Sequence, residues 1–144
     1  MNTINQICAF MENKPGQIVG ILQILSAGGI NLRALNVSET EDYGVLRFIA
    51  DDHEKAFALL KENGYIASKA QVAAIEVTDE PGGLEKLLAT LATDGVDIAY
   101  MYSVFAFAAN KAYMIIHAKD VEVLMDSLKK NGISAAGSET LGIK

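Results

Sequence analysis

Apolar and polar positions along this chain follow two rhythms, and the switch between them recurs. Ile4 to Met11 is a short apolar run closed by the polar stretch from Glu12 to Gly16, which predicts a buried strand. Apolar residues then return at Ile18, Ile21, Leu22 and Leu25, the spacing of one helical face. Pro15 suits a first helical turn, Asn13 suits a cap before it, and Gly28 with Gly29 suits the end. Leu32, Leu35 and Val37 predict a second strand and Val45 to Ala50 a third, with the polar segment from Glu39 to Gly44 as the hairpin turn between them. Asp52 opens a second helix whose inward face carries Ala56, Phe57, Leu59 and Leu60 and which ends at Asn63 and Gly64. A last strand begins near Tyr65.

The same order then repeats. A shift of 66 residues lays Pro15 and Gly16 on Pro81 and Gly82, Ile21 on Leu87, Leu25 on Leu91, Gly29 on Gly95 and Asn31 on Asp97. A shift of 68 lays Asp52 on Asp120, Phe57 on Met125, Leu60 on Leu128 and Asn63-Gly64 on Asn131-Gly132. The second half therefore reads as a strand to Val77, a helix from Pro81, a strand near Val96 to Phe107, a turn at Ala108 to Asn110, a strand from Ala112 to Ala118, a helix from Asp120 and a final strand after Gly132. A period of about 70 residues exceeds the usual solenoid range. It is a duplicated βαββαβ unit, residues 1–71 and 72–144. The fold class this predicts is α+β, two ferredoxin-like units, each an antiparallel sheet with helices on one face.

Composition fits a compact globular chain, at 51% hydrophobic and 21% charged residues. A net charge of −6 argues against nucleic acid, whose affinity comes from clustered Lys and Arg. The single cysteine, Cys8, makes an internal disulfide or a paired-cysteine metal site impossible and reads as a small buried hydrophobe in a reducing compartment. No secretory signal is visible, and the longest uncharged run, Pro15 to Leu32, is too polar and glycine-rich to span a membrane. A cytoplasmic location follows.

Enzyme signatures are missing: there is no GxSxG, phosphate loop or HExxH. His53 stands in the charged segment Asp51 to Lys55 and reads as solvated, and His117 lacks an evident partner. The two arginines, Arg33 and Arg47, fall on strands, away from the first strand-to-helix loop where acylphosphatase-like chemistry on this plan needs one. No catalysis and no cofactor are expected.

The two Pro-Gly loops carry what chemistry there is. Asn13, Pro15, Gly16, Gly29, Ile30 and Asn31 in the first unit, matched by Asp79, Pro81, Gly82, Gly95, Val96 and Asp97 in the second, resemble the signature of the ACT domain, here as a tandem pair over nearly the whole chain. That resemblance implies a regulatory module binding a free amino acid, working as a homodimer or through a separate enzyme or regulator.

An amino acid presents a carboxylate and an ammonium. Helix-start amides at Gly16, Gln17 and Ile18, or at Gly82, Gly83 and Leu84, are donors for the carboxylate. Asn31 or Asp97, each followed by an apolar residue (Leu32, Ile98) where the second strand begins, is taken to lie at the same end of the sheet and to accept from the ammonium. Lys14 favours an anion at the first loop, whereas Asp79 and Glu80 disfavour one at the second, so the first copy is the stronger candidate. Two other readings fit the same residues. In one, Pro and Gly only shape a tight turn while Asn13 or Asp79 caps the helix. In the other, the duplicated sheets serve as a structural or protein-interaction module that has lost its ligand. Tyr100 and Tyr102 share a strand face and line a pocket or pack in a core or interface. The first helix is uncharged, and its face at Gly20, Gln23 and Ala27 is expected to meet another helix.

Overall fold

In the computed structural model, which describes residues 2–104 and 111–143, the pattern becomes β1 (Ile4–Glu12), α1 (Gln17–Ala27), β2 (Leu32–Glu39), β3 (Tyr43–Ala50), α2 (His53–Glu62) and β4 (Ile66–Thr78). There follow α3 (Gly83–Thr93), β5 (Ile98–Val104), β6 (Lys111–Ala118), α4 (Val121–Lys130) and the short α5 (Ser138–Leu141). Contacts group Asn5–Ala70 with Gly142–Lys144 into an N-terminal unit, and Gln71–Leu141 with Met1–Ile4 into a C-terminal unit. β4 carries the chain from one to the other. The strand orders are β2-β3-β1-β4 in the first and β4-β6-β5 in the second, the antiparallel ferredoxin-like plan that the element order predicts.

Each unit buries the helix-facing side of its sheet. In the N-terminal unit Ile7, Ala9, Met11, Leu46 and Phe48 meet Ile21, Leu25, Ala56 and Leu60. In the C-terminal unit the equivalents are Ala73, Ile75, Val77, Ile116, Leu87, Leu91, Leu124 and Leu128. The two cores trade volume. Ile7 and Ala9 become Ala73 and Ile75 on the strand, and Phe48 with Ala56 becomes Ile116 with Leu124. Close packing punishes both gaps and excess, so one change compensates the other within each core.

Helices α2 and α4 start as expected, with the carboxylate of Asp52 accepting from the Lys55 amide at 3.2 Å and that of Asp120 from the Glu122 amide at 3.0 Å. Helices α1 and α3 do not. The expected caps Asn13 and Asp79 make no such bond. The helices begin after Gly16 (φ 88°) and Gly82 (φ 87°), each in the left-handed region, so Pro15 and Pro81 stand outside the first turn. A glycine that reverses the chain replaces a side-chain cap at both sites.

Two further expectations change, and a third lies partly outside the described residues. The segment after Gly132 forms only a bridge, Ile75 opposite Ala135, with the Ala136 amide donating to the Ala74 carbonyl at 2.7 Å, before α5 begins. Ser134, Ala135, Ala136 and Gly137 are poor strand formers, which accounts for the missing strand. The expected strand through Phe107 is described from Ile98 to Val104, and the rest of it and the turn at Ala108 to Asn110 lie outside the described residues. Gly20 does not face outward to another helix. A methyl there would meet the Tyr65 hydroxyl of the same unit at 3.2 Å, and the exposed side of α1 carries Val19, Gln23, Ser26 and Ala27.

No helix among the described residues is long and apolar enough to cross a membrane.

Candidate functional site

The loop between β1 and α1 sits over a small cavity of about 300 Å³. Asn13, Lys14, Gln17 and Ile18 line it from the loop and the first helical turn, and Val37, Ser38 and Glu39 line it from the end of β2. The loop is tied down at its start. The Asn13 amide donates to the Thr40 carbonyl at 2.8 Å, joining it to the β2–β3 turn, which Thr40 closes against Tyr43. Gly44 lies beneath, where a methyl would come within 3.1 Å of the Asn13 Oδ1.

The donors expected at this helix start are not all free, and Pro15 and Gly16 are exposed and do not line the cavity. The Gly20 amide returns to the Gly16 carbonyl at 3.0 Å, and the Gln17 amide makes a long bond to the Lys14 carbonyl at 3.4 Å. Those of Ile18 and Val19 have no acceptor among the described residues, the condition of a helix end that can take an anion. Lys14 pairs with Glu12 at 2.8 Å on the exposed rim. Its hydrogen bond and charge hold the Glu12 carboxyl below the usual carboxylate range, and Glu12 in turn raises the Lys14 ammonium.

Asn31 and Leu32 are not at this end. Leu32 is paired with Ala50 and Glu39 with Gly44, while Gly44 is paired with Met11, so β2 ends beside the loop and begins at the opposite edge. There the Asn31 amide donates to the Asp51 carboxylate at 3.1 Å, and the Asp51 amide to the Asn31 carbonyl at 2.9 Å. Asp97 and Ile98 occupy the same far position in the C-terminal unit, where Asp97 pairs with Lys119 at 3.2 Å. A β-α-β crossover returns the chain to the start of a parallel strand, so the residues opening β2 lie a full strand length from the loop. The acceptors near the cavity are instead Glu12 and Glu39, which sequence reading missed. The crossover rule, applied to the end of β2, would have found Glu39.

The second loop follows the same backbone path with different side chains. Its cavity, about 420 Å³, is lined by Glu76, Thr78, Gly83, Lys86 and Thr90, with Asn131 on the far side. Of the residues expected to bind there only Gly83 lines the cavity; Asp79, Pro81 and Gly82 are exposed, and Leu84 is packed toward the core. A methyl on Gly83 would overlap the Thr78 carbonyl oxygen, so this loop is folded tightly on its own strand. Gln17 holds the equivalent position in the first loop.

Elsewhere His53 is less solvated than expected, meeting the Asn5 side-chain amide at 3.3 Å and the Glu54 carboxylate at 3.1 Å. His117 has partners after all: its Nδ1 lies 3.1 Å from the Gln71 carbonyl, and its ring stacks on Tyr100 with centroids 4.9 Å apart. Tyr102 is buried. The described residues hold no cluster of three or more potential metal ligands.

Comparison with known proteins agrees with this architecture. The profile of the ACT domain pair matches residues 2–123. Protein BT0572 from Bacteroides thetaiotaomicron is 34% identical over 97% of this chain and 96% of its own, with a TM-score of 0.89. The ligand-free regulatory subunit of aspartate kinase from Thermus thermophilus is 18% identical over 90% and 93%, with a TM-score of 0.64, a likeness of fold. No curated protein matches. With the profile covering most of its length and two βαββα units built on glycine-started helices, the chain belongs to the family of paired ACT domains.

Proposed function

We propose that this protein is a cytoplasmic, non-catalytic sensor that binds a free amino acid at the β1–α1 loop of its N-terminal unit. ACT domains are regulatory ligand-binding modules, and family membership supports that broader role. The observation that carries the finer reading is the difference between the two loops: Asn13, Lys14, Gln17 and Ile18 border the first cavity, whereas of the second loop only Gly83 borders the other, with the acidic Asp79 and Glu80 beside it. The ligand carboxylate takes the amides of Ile18 and Val19, with Lys14 nearby, and Glu39 accepts from the ammonium. The C-terminal unit serves as support. Binding reaches its target through a homodimer or a separate enzyme or regulator.

A thermal-shift screen of the purified chain against the twenty amino acids tests this. A ligand at a hundred times its dissociation constant adds about 2.7 kcal/mol of stability. A Gln17→Arg variant, with its charged side chain placed in the cavity, should lose that gain while keeping the unliganded melting temperature. A screen with no shift for any amino acid would refute the reading.

A further inference from the structure

The loop cavity adjoins a larger cleft. About 640 Å³ of space opens where β1 ends and β4 begins, and its walls share Met11, Glu12 and Gln17 with the smaller cavity. Phe10, Tyr43, Tyr65 and Ile66 supply the remaining large side chains. We propose that this cleft selects the ligand, taking the side chain of a large uncharged amino acid, aromatic above all, whose carboxylate and ammonium are held at the β1–α1 loop. The proposal rests on the amino-acid reading of that loop.

Three observations point this way. Phe10 and Tyr43 are already set edge to face, with ring centroids 5.7 Å apart, which presents a fixed aromatic wall. Tyr43 and Ile66 are 42% and 70% exposed, apolar surface that a side chain in the cleft would cover. Small amino acids have room enough in the 300 Å³ cavity and would leave that surface uncovered.

Charge narrows the class further. The cleft offers two carboxylates, but that of Glu12 is already bonded to Lys14 at 2.8 Å, and Asp42 belongs to the exposed β2–β3 turn. A cationic side chain would find no buried counter-charge, and an anionic one would face both carboxylates.

Isothermal titration of the full chain with L-phenylalanine, L-leucine, L-alanine, L-aspartate and L-lysine tests the assignment. Phenylalanine should bind about tenfold or more tighter than alanine, the ratio expected when a ring is buried in place of a methyl. Tyr43→Ala and Ile66→Ser should each weaken phenylalanine binding several-fold and change alanine binding less than twofold, with the far-UV circular dichroism spectrum retained. Alanine, aspartate or lysine binding as tightly as phenylalanine would overturn the cleft's role and leave the amino-acid reading standing. Binding by none of the five, nor by any other amino acid, would remove both. A Tyr43→Ala variant that changes oligomeric state on light scattering while keeping its phenylalanine affinity would assign the cleft to a second copy of the chain instead.

Discussion

Replacing Gly83 with alanine should destabilise the protein, although its position would ordinarily favour the opposite. Gly83 is the first residue of α3, and exchanging glycine for alanine at a compatible site stabilises by roughly 0.4–1 kcal/mol through loss of unfolded-chain entropy. Here the added methyl lands on the Thr78 carbonyl oxygen, a backbone atom that cannot rotate away. That oxygen also accepts from the Glu80 amide at 2.9 Å, so moving it weakens the turn before the helix. Overpacking costs about 1–3 kcal/mol and the turn hydrogen bond about 0.5–1.5. Less the entropy gain, the net loss is about 0.5–4 kcal/mol. Urea unfolding followed by far-UV circular dichroism reads this as a lower midpoint with an unchanged slope. Gln17→Ala, at the equivalent position in the first loop, is the control and should change stability by less than about 0.5 kcal/mol. An unchanged or raised midpoint for Gly83→Ala would show that the Thr78 carbonyl can give way, and would refute this reasoning.

Asp94, at the end of α3, accepts from Ser127 at 2.7 Å, Lys130 at 2.9 Å and Asn131 at 2.7 Å on α4 and its cap, and these bonds, the Ser127 hydroxyl foremost, lower its carboxyl from 3.8 to about 2. A depressed folded value means stability that is present above pH 3.8 and lost as pH falls toward 2, so Asp94→Ala should lower the urea midpoint at pH 7 and close the gap to the parent near pH 2. Leu60→Ala removes a fully buried side chain from the N-terminal core and should cost about 2–5 kcal/mol by the same assay. Asn13→Ala frees the β1–α1 loop from Thr40 and should weaken amino-acid binding in calorimetry by more than it lowers the melting temperature.

The periodic parts of this fold were readable because burial leaves a trace in one dimension. The stripe at Ile21 and Leu25 and its copy at Leu87 and Leu91 gave both helices, and Asp52 and Asp120 gave two starts, since a cap acts within three residues. Relations across the sheet were less visible. Asn31 was placed beside the loop on the strength of a shared motif, whereas the strand register sets it a full strand length away. The aromatic cleft was invisible for the same reason: Phe10, Tyr43 and Ile66 come from three strands, and no local pattern joins them. Helix starts at Gly16 and Gly82 were misread because a left-handed glycine and a proline turn use the same letters.

The end of the first helix in each unit bears on how a duplicated chain avoids folding into itself wrongly. Gly28 follows α1 in close contact with the Leu59 side chain, and the equivalent pair in the other unit is Asp94 with Ser127. One joint is apolar and the other is polar. Were α1 to dock on α4, Ser127, Lys130 and Asn131 would lose their acceptor beside a bare glycine; were α3 to dock on α2, the Asp94 carboxylate would be set against Leu59. Two halves with similar stripes and identical topology are prone to exchange partners during folding. A mismatched joint makes each wrong pairing costly, so the divergence of these four residues favours each helix pair over its exchanged alternative.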